Sequence, residues 1–341
     1  MFLQSVAHAE PPTVLRQEDC WELLRASGAM RGLRTRSIDL LEKILLGDSG
    51  IATRRFVAPD PLQLIGLDAE GLHREFEKAA PALAGEAVEK ACVLAGRDVR
   101  EIDALLICTC TGYLCPGLTS YVSERLGLRQ GIFLQDLLGL GCGAAIPMLE
   151  AARGVAAASP GALIATVAVE VCSAAFYLDD DPGVLVSLCL FGDGAACALW
   201  SGEGEPGHWK MGGFRTVHHP EHREKIRFVN AGGKLKNQLH RAVPGLAAEA
   251  VAGLFDRRAG EPDRILSHTG GRDVIEAIEE RLGRGSFVET RSVLRKNGNV
   301  SSPCVLLALE DALQNANGDS HLWLTAFGAG FAAHACELSR G

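Results

Sequence analysis

The chain has 341 residues, of which 47% are hydrophobic and 22% are charged, so it is a folded globular protein and not a disordered one. Because a single core stops growing at roughly 250–300 residues, we expect two packed halves. The net charge of −8, without a dense Lys/Arg stripe, argues against nucleic acid as the main partner.

Strands and helices alternate along the first part of the chain. In chain order, the hydrophobic pattern predicts a strand at residues 2–7, helices at 17–27 and 81–95, a strand at 102–109, a helix at 116–126, a strand at 131–138, a helix at 144–158, and strands at 162–170 and 187–200. The clearest helix is 81–95, since Leu83, Ala87, Ala91 and Leu94 form one apolar stripe.

The rhythm resumes after a polar, glycine-rich stretch at residues 201–210. Helices are predicted at residues 246–255, 273–282 and 301–314, and strands at 264–267 and 322–327, the last of which closes the chain. This order predicts the α/β class. It places a domain boundary near residue 205, with one half at residues 1–205 and the other at 206–341.

The eleven cysteines predict reduced thiols and not disulfides. Their number is odd, several lie in apolar runs such as LLICTCTGYLC at residues 105–115, and there is no CxxC pair. Buried free thiols are typical of a reducing compartment, and this spacing does not fit zinc, so we predict no metal. Without a signal-peptide pattern or an apolar run of about 18 residues, we expect a cytoplasmic protein with no stable membrane insertion.

Cys142, in GLGCGAAIPMLEAA, follows a predicted strand and opens a predicted helix. A helix N-terminus has unpaired N–H groups and a partial positive charge, which predict a lowered thiol pKa. The small flanking residues leave room for a bulky acyl group. Taken alone, a buried core cysteine is the competing interpretation.

Two further residues supply matching chemistry. His268, in RILSHTGGRD, stands where a strand ends, and Asn299 lies in KNGNVSSPCVL. Each has a plain alternative, a hydrogen-bonded loop histidine and part of a helix cap. Together with Cys142, however, they form a set of a nucleophile, an imidazole and an amide donor.

The ordered motifs resemble those of the type III polyketide synthases, the chalcone synthase family. The segments are TGYLCPGL (111–118), GLGCGAA (139–145), LFGDGAA (190–196), SHTGG (267–271), GNVSSPCVL (298–306) and AFGAG (326–330). They occur in the family's order and span most of the chain.

The resemblance implies a thiolase fold of two similar α/β halves in αβαβα layers, and a homodimer. Cys142 would take an acyl group from an acyl-CoA, and malonyl-CoA would lose CO2 and attack that thioester. His268 and Asn299 would hold the thioester carbonyl and stabilise the enolate. The product would cyclise to a pyrone, resorcinol or related ring, and no cofactor beyond CoA thioesters would be needed.

The resemblance also implies binding residues. Phe176 falls at the position of a gatekeeper phenylalanine, and Asn237 at that of a second one, which predicts a wider or more polar gate. The implied substrate-binding set is Phe176, Cys110, Thr111, Cys115, Asn237, Phe327 and Gly328, in which Cys115 reaches the neighbouring subunit's cavity and the last two residues belong to the cyclisation wall. The nearest cations for the CoA phosphates are Lys43, Arg54 and Arg55.

Two alternatives stay open at this point. A β-ketoacyl synthase of the initiating type shares the same triad and would use an acyl carrier protein. A non-catalytic acyl-CoA-binding homologue is the other, but it has no need of Cys142, His268 and Asn299 together. The starter, the number of extensions and the product lie beyond the sequence.

Overall fold

The computed structural model describes residues 1–315 and 318–340. Its strands are β1 Phe2–Ala9, β2 Thr13–Arg16, β3 Thr53–Phe56, β4 Ile102–Cys108, β5 Phe133–Leu137, β6 Leu163–Glu170, β7 Gly194–Ser201, β8 Lys210–His218, β9 Ile226–Ala231, β10 Lys234–Leu239, β11 Arg264–Ser267, β12 His321–Gly328 and β13 Ala332–Ser339. Its α-helices are α1 Gln17–Ser27, α2 Thr35–Leu46, α3 Ala69–Ala95, α4 Leu118–Leu126, α5 Ala145–Ala158, α6 Pro182–Leu190, α7 Val243–Phe255, α8 Arg272–Leu282, α9 Val288–Asn297 and α10 Cys304–Gln314.

Nine strands form one sheet in the order β11-β12-β13-β8-β1-β7-β6-β4-β5. Strand β4 pairs in parallel with β5 and β6, and β11 pairs in parallel with β12. The strands of the first and second parts of the chain meet at β1 and β8, through the single pair Phe2 and Lys210. Two small hairpins, β2-β3 and β9-β10, lie outside this sheet.

Two apolar helices lie at the centre of the molecule. Helices α5 and α10 pack in one core with residues of β4 and β6 from the first part of the sheet and of β12 and β13 from the second part. Helices α3 and α4 cover the far face of the first part, and α7 and α8 cover that of the second. The layers therefore run helix, sheet, helix, sheet, helix, which confirms the predicted α/β class.

Most predicted elements are present, with ends that differ by a few residues. One strand prediction was wrong. Residues 187–200 contain the end of α6, a turn, and then β7 Gly194–Ser201. A short apolar run fits a buried strand and a buried helix equally well. The deciding signals were Asp181, whose side chain accepts from the Gly183 N–H, and Pro182 in the first turn.

Several elements were missed or cut short. Helix α3 begins at Ala69, twelve residues before the predicted start, and contains Pro81 within it. Helices α2 and α9 and the β9-β10 hairpin had no prediction, and β13 follows the strand that was expected to close the chain. The predicted boundary at residues 201–210 lies between β7 and β8, but the sheet is continuous across it, so the division into two halves stays a prediction.

Candidate active site

Cys142 lies in a tight turn, Gly141–Gly143, between β5 and the central helix α5. Gly141 has φ of 59°, which favours glycine. The end of β12 packs directly on this turn: a Cβ atom added at Gly328 would lie 2.6 Å from the Gly143 nitrogen and 3.0 Å from the Cys142 nitrogen. The glycines therefore let two backbone segments meet at the sulfur-bearing residue.

The fold brings Cys142, His268 and Asn299 to one cavity. His268 follows β11 and is 2% exposed, with its ring edge-to-face against Phe327 at 5.1 Å. Asn299 is held because its Oδ1 accepts from the Ser301 N–H at 2.8 Å. Because that contact uses the side-chain oxygen of Asn299, the amide nitrogen is the side-chain polar atom that remains.

Burial sets the protonation states of Cys142 and His268. It raises the pKa of the Cys142 thiol from 9.0 to about 12, against a lowering by the hydroxyl of Ser301. It lowers the pKa of His268 to about 4, and the Nδ1 of this ring has no hydrogen-bond partner within the described residues. The predicted fall in the Cys142 pKa was wrong, since desolvation exceeds the effect of the helix terminus. Because Cys142 and His268 line the same cavity, the neutral imidazole is a candidate acceptor for the thiol proton.

A buried carboxyl group lies behind Cys142, and the sequence interpretation missed it. Glu170, at the end of β6, is fully buried and is in none of the ion pairs found among the described residues. Its Oε2 accepts from the backbone N–H groups of Cys110 and Thr111 at 2.9 and 3.1 Å. Its Oε1 accepts from Ser302 Oγ at 2.6 Å and from Ser301 Oγ at 3.3 Å.

Ser301 links this carboxyl group to the nucleophile. Its hydroxyl lies 3.1 Å from Cys142 Sγ and 3.2 Å from Cys110 Sγ. The SS pair after Asn299 was a signal for these residues in the sequence, but it was interpreted only as part of a helix start.

A second cavity adjoins the first. Phe191, Phe228 and Asn237 line both, so they stand where the two cavities meet. Cys110, Thr111 and Phe176 line only the second of these two. Phe176 is buried and lines the second cavity, and its role as the gatekeeper stays a prediction.

With this geometry established, the comparisons identify the family. A family model described as FAE1/type III polyketide synthase-like protein matches residues 9–218, which is more than half of the chain. The chain belongs to this family. The matched residues include Cys142 and Glu170 and end before His268 and Asn299.

Two relatives of this type III polyketide synthase-like chain support the same family assignment. The 3,5-dihydroxyphenylacetyl-CoA synthase of Streptomyces toyocaensis is 31% identical over 255 residues, which are 70% of this chain and 65% of that protein. The match thus spans just under two thirds of that relative's length. The 1,3,6,8-tetrahydroxynaphthalene synthase of Streptomyces griseus is 27% identical over 313 residues, 89% of this chain and 82% of that protein.

The fold matches as well. The crystal structure of PKS-I from the brown alga Ectocarpus siliculosus has a TM-score of 0.91 to this chain at 21% identity, covering 100% of this chain and 98% of that one. The chain therefore has the thiolase fold of the type III polyketide synthase structures.

The three cations predicted to bind the CoA phosphates lie in different surroundings. Arg54 is 1% exposed, and its guanidinium donates to Gln17 Oε1 and to the carbonyl oxygens of Leu188 and Phe191. It cannot reach a phosphate in solvent, so its predicted CoA contact is corrected to a structural role. Arg55 pairs with Glu10 at 3.0 Å, and Lys43 is exposed on α2.

The remaining predicted residues lie at two places. Phe327 is buried and lines the Cys142 cavity, and Gly328 supports the nucleophile turn. Cys115 is exposed, near the exposed Tyr113. No helix in the described part of the chain combines the length and the apolar character that crossing a membrane requires.

Proposed function

We propose that this chain is a type III polyketide synthase. It loads an acyl group from an acyl-CoA on Cys142, extends it by decarboxylative condensation with malonyl-CoA, and cyclises the product to a pyrone, resorcinol or related ring. One observation carries the proposal: in a chain of this family, Cys142, His268 and Asn299 line a single buried cavity.

The loading step needs an acceptor for the Cys142 proton, and the neutral imidazole of His268 lines the same cavity. As the Cys142 sulfur attacks the thioester carbonyl, its proton moves to the neutral imidazole of His268. The new thioester forms on Cys142, and CoA leaves with a proton as the free thiol.

The extension step uses the donors. Malonyl-CoA loses CO2, and the electron pair of the broken bond becomes an enolate whose oxygen accepts from His268 and from the Asn299 amide. The enolate carbon then attacks the Cys142 thioester, and the thiolate leaves. A dry cavity strengthens these hydrogen bonds, because water no longer competes for them.

The initiating β-ketoacyl synthase is the second candidate. The family match and the two bacterial relatives support the CoA-dependent reaction over it. The test supplies malonyl groups either on CoA or on a carrier protein and measures CO2 release and product. Turnover that requires the carrier protein would remove the proposal.

The role of Cys142 is tested by intact mass after incubation with acyl-CoA. The wild type and Cys92→Ala, a buried cysteine of α3, should gain one acyl adduct, and Cys142→Ala should gain none. An adduct that persists in Cys142→Ala would assign the nucleophile to another residue.

The finer features of the proposal are the gate, the assembly and the location. The gate comprises Phe176, which lines the second cavity, and Asn237, which lines both cavities and makes the gate more polar. A homodimer is supported by β5, an edge strand whose Phe133 and Leu134 are exposed. A cytoplasmic location is supported by the eleven free cysteines.

A further inference from the structure

A third cavity opens beside Cys142 and is not used by the condensation chemistry. Gly141 and Cys110 line it, and Gly141 directly precedes Cys142. Cys110 Sγ lies 3.2 Å from Ser301 Oγ, which in turn lies 3.1 Å from Cys142 Sγ. An acyl chain on Cys142 can therefore extend into this cavity.

The walls of the third cavity differ in chemistry from one part to another. Buried apolar side chains, Leu72 and Phe76 of α3 and Ala174, line one part. Another part is lined by Arg223, Arg227 and Lys234, from the segment around the β9-β10 hairpin; Arg227 also lines the Cys142 cavity, whereas Arg223 and Lys234 do not. No Asp or Glu lines the cavity in the described part of the chain.

The part of the cavity lined by Arg223, Arg227 and Lys234 carries more positive charge than the neighbouring carboxylate neutralises. Arg227 Nη1 lies 2.7 Å from both oxygens of Glu224, and Arg223 Nε lies 3.0 Å from the same carboxylate. Two guanidiniums thus share one carboxylate. Lys234 adds a further charge and has no acidic partner among the described residues.

We infer that this cavity receives the end of the Cys142-bound acyl chain remote from the thioester, and that it favours an end with a negative charge, such as a carboxylate. The apolar walls suit a methylene stem, and Arg223 and Lys234, which do not line the Cys142 cavity, suit an anion, since charge-assisted contacts are the strong ones. This inference rests on the proposed loading of acyl groups on Cys142 and adds the class of starter.

The test compares two acyl-CoA starters of equal chain length, hexanoyl-CoA and adipoyl-CoA, of which only the second ends in a carboxylate. In the wild type, kcat/KM with malonyl-CoA should be higher for adipoyl-CoA. In Lys234→Gln, the adipoyl to hexanoyl ratio should fall by about 5- to 10-fold, as for loss of one charge-assisted contact. Lys225→Gln is the matched control, because Lys225 belongs to the same segment and lines none of the three cavities.

Three outcomes would overturn the inference. Equal use of the two starters by the wild type, or an unchanged ratio in Lys234→Gln, removes the preference while loading on Cys142 stands. If Lys234→Gln weakens inhibition by CoA but not by 3′-dephospho-CoA, the cation binds a CoA phosphate and not the acyl end. If neither starter labels Cys142, the proposed function fails together with the inference.

Discussion

Ser301 is the side chain through which the nucleophile meets the buried carboxyl group of Glu170. It has φ of 60°, the one positive φ among the described residues other than glycine. Its hydroxyl has a single proton but faces two acceptors, Cys142 Sγ at 3.1 Å and Glu170 Oε1 at 3.3 Å. A proton directed at the sulfur stabilises a thiolate, whereas the Glu170 charge raises the pKa of the Cys142 thiol.

We expect Ser301→Ala to raise the pKa of Cys142 further, because it removes the one hydroxyl that stabilises the thiolate. At any fixed pH below that pKa the thiolate fraction falls, so alkylation of Cys142 by iodoacetamide should slow by roughly 5-fold, the effect of a hydrogen bond of about 1 kcal/mol. The rate is measured against pH by mass spectrometry of the Cys142 peptide.

Ser302→Ala is the matched control for this experiment. Like Ser301→Ala, this variant removes a hydroxyl that donates to Glu170; the distance from Ser302 Oγ to Glu170 Oε1 is 2.6 Å. Ser302, however, makes no hydrogen bond to Cys142 among the described contacts. Superimposed pH profiles for Ser301→Ala and the wild type would show that the hydroxyl does not tune the thiol.

Among elements, the contact between the end of β12 and the nucleophile turn positions the chemistry. The resemblance assigned Gly328 to a cyclisation wall, but the structure places its Cα against backbone. An added Cβ would meet the Gly143 nitrogen at 2.6 Å, the Leu140 oxygen at 2.7 Å and the Cys142 nitrogen at 3.0 Å. Backbone atoms in a turn cannot move aside as a flexible side chain can.

We therefore expect Gly328→Ala to displace the turn that carries Cys142. The rate of acyl-adduct formation, followed by intact mass, should fall roughly 100-fold, since a displacement of about 1 Å has that effect on a reacting group. A change confined to the cyclised product, with loading at the wild-type rate, would contradict this role.

Gly154→Ala is the control for Gly328→Ala. Gly154 lies within α5, and nothing stands within 4 Å of an added Cβ. Because Ala is the better helix former by about 1 kcal/mol, this variant should load acyl groups normally and unfold at an equal or higher temperature.

For the whole molecule, the free edge of the nine-stranded sheet is the feature that bears on assembly. Strand β5 ends the sheet at one side and exposes Phe133 by 49% and Leu134 by 37%. Leu138 follows, exposed by 42%. An apolar edge strand of this kind pairs readily with another chain.

We expect the wild type to be a dimer in solution and Leu134→Glu to be monomeric, because a charge on the buried face of the interface must be desolvated without a partner. Light scattering after size-exclusion chromatography measures the mass. Val288→Glu is the control, since Val288 is 65% exposed at the start of α9 and lies outside this edge. A wild-type monomer would refute the proposed assembly.

Local patterns sufficed for most of the elements and pointed to the triad candidates. Helix α1 was predicted with both ends correct, and Cys142, His268 and Asn299 were found because each sits in a short motif at the end of an element. The strand prediction for residues 187–200 failed because α6 is a nine-residue apolar helix without an amphipathic stripe. Such a sequence has no period to detect. The CoA-binding prediction for Arg54 failed because the sequence does not reveal that its guanidinium is buried among carbonyl groups.

The sequence by itself determined the fold class and the order of most elements, because these follow from local hydrophobic periods and local turns, and the resemblance of its ordered motifs made Cys142 the candidate nucleophile. Only the tertiary structure decided what surrounds Cys142. Ser301 is 159 residues away from it in sequence, and Glu170 meets Ser302 across 132 residues. Burial likewise raises the pKa of Cys142 where the helix terminus alone predicted a fall, since desolvation depends on every segment that packs around the sulfur.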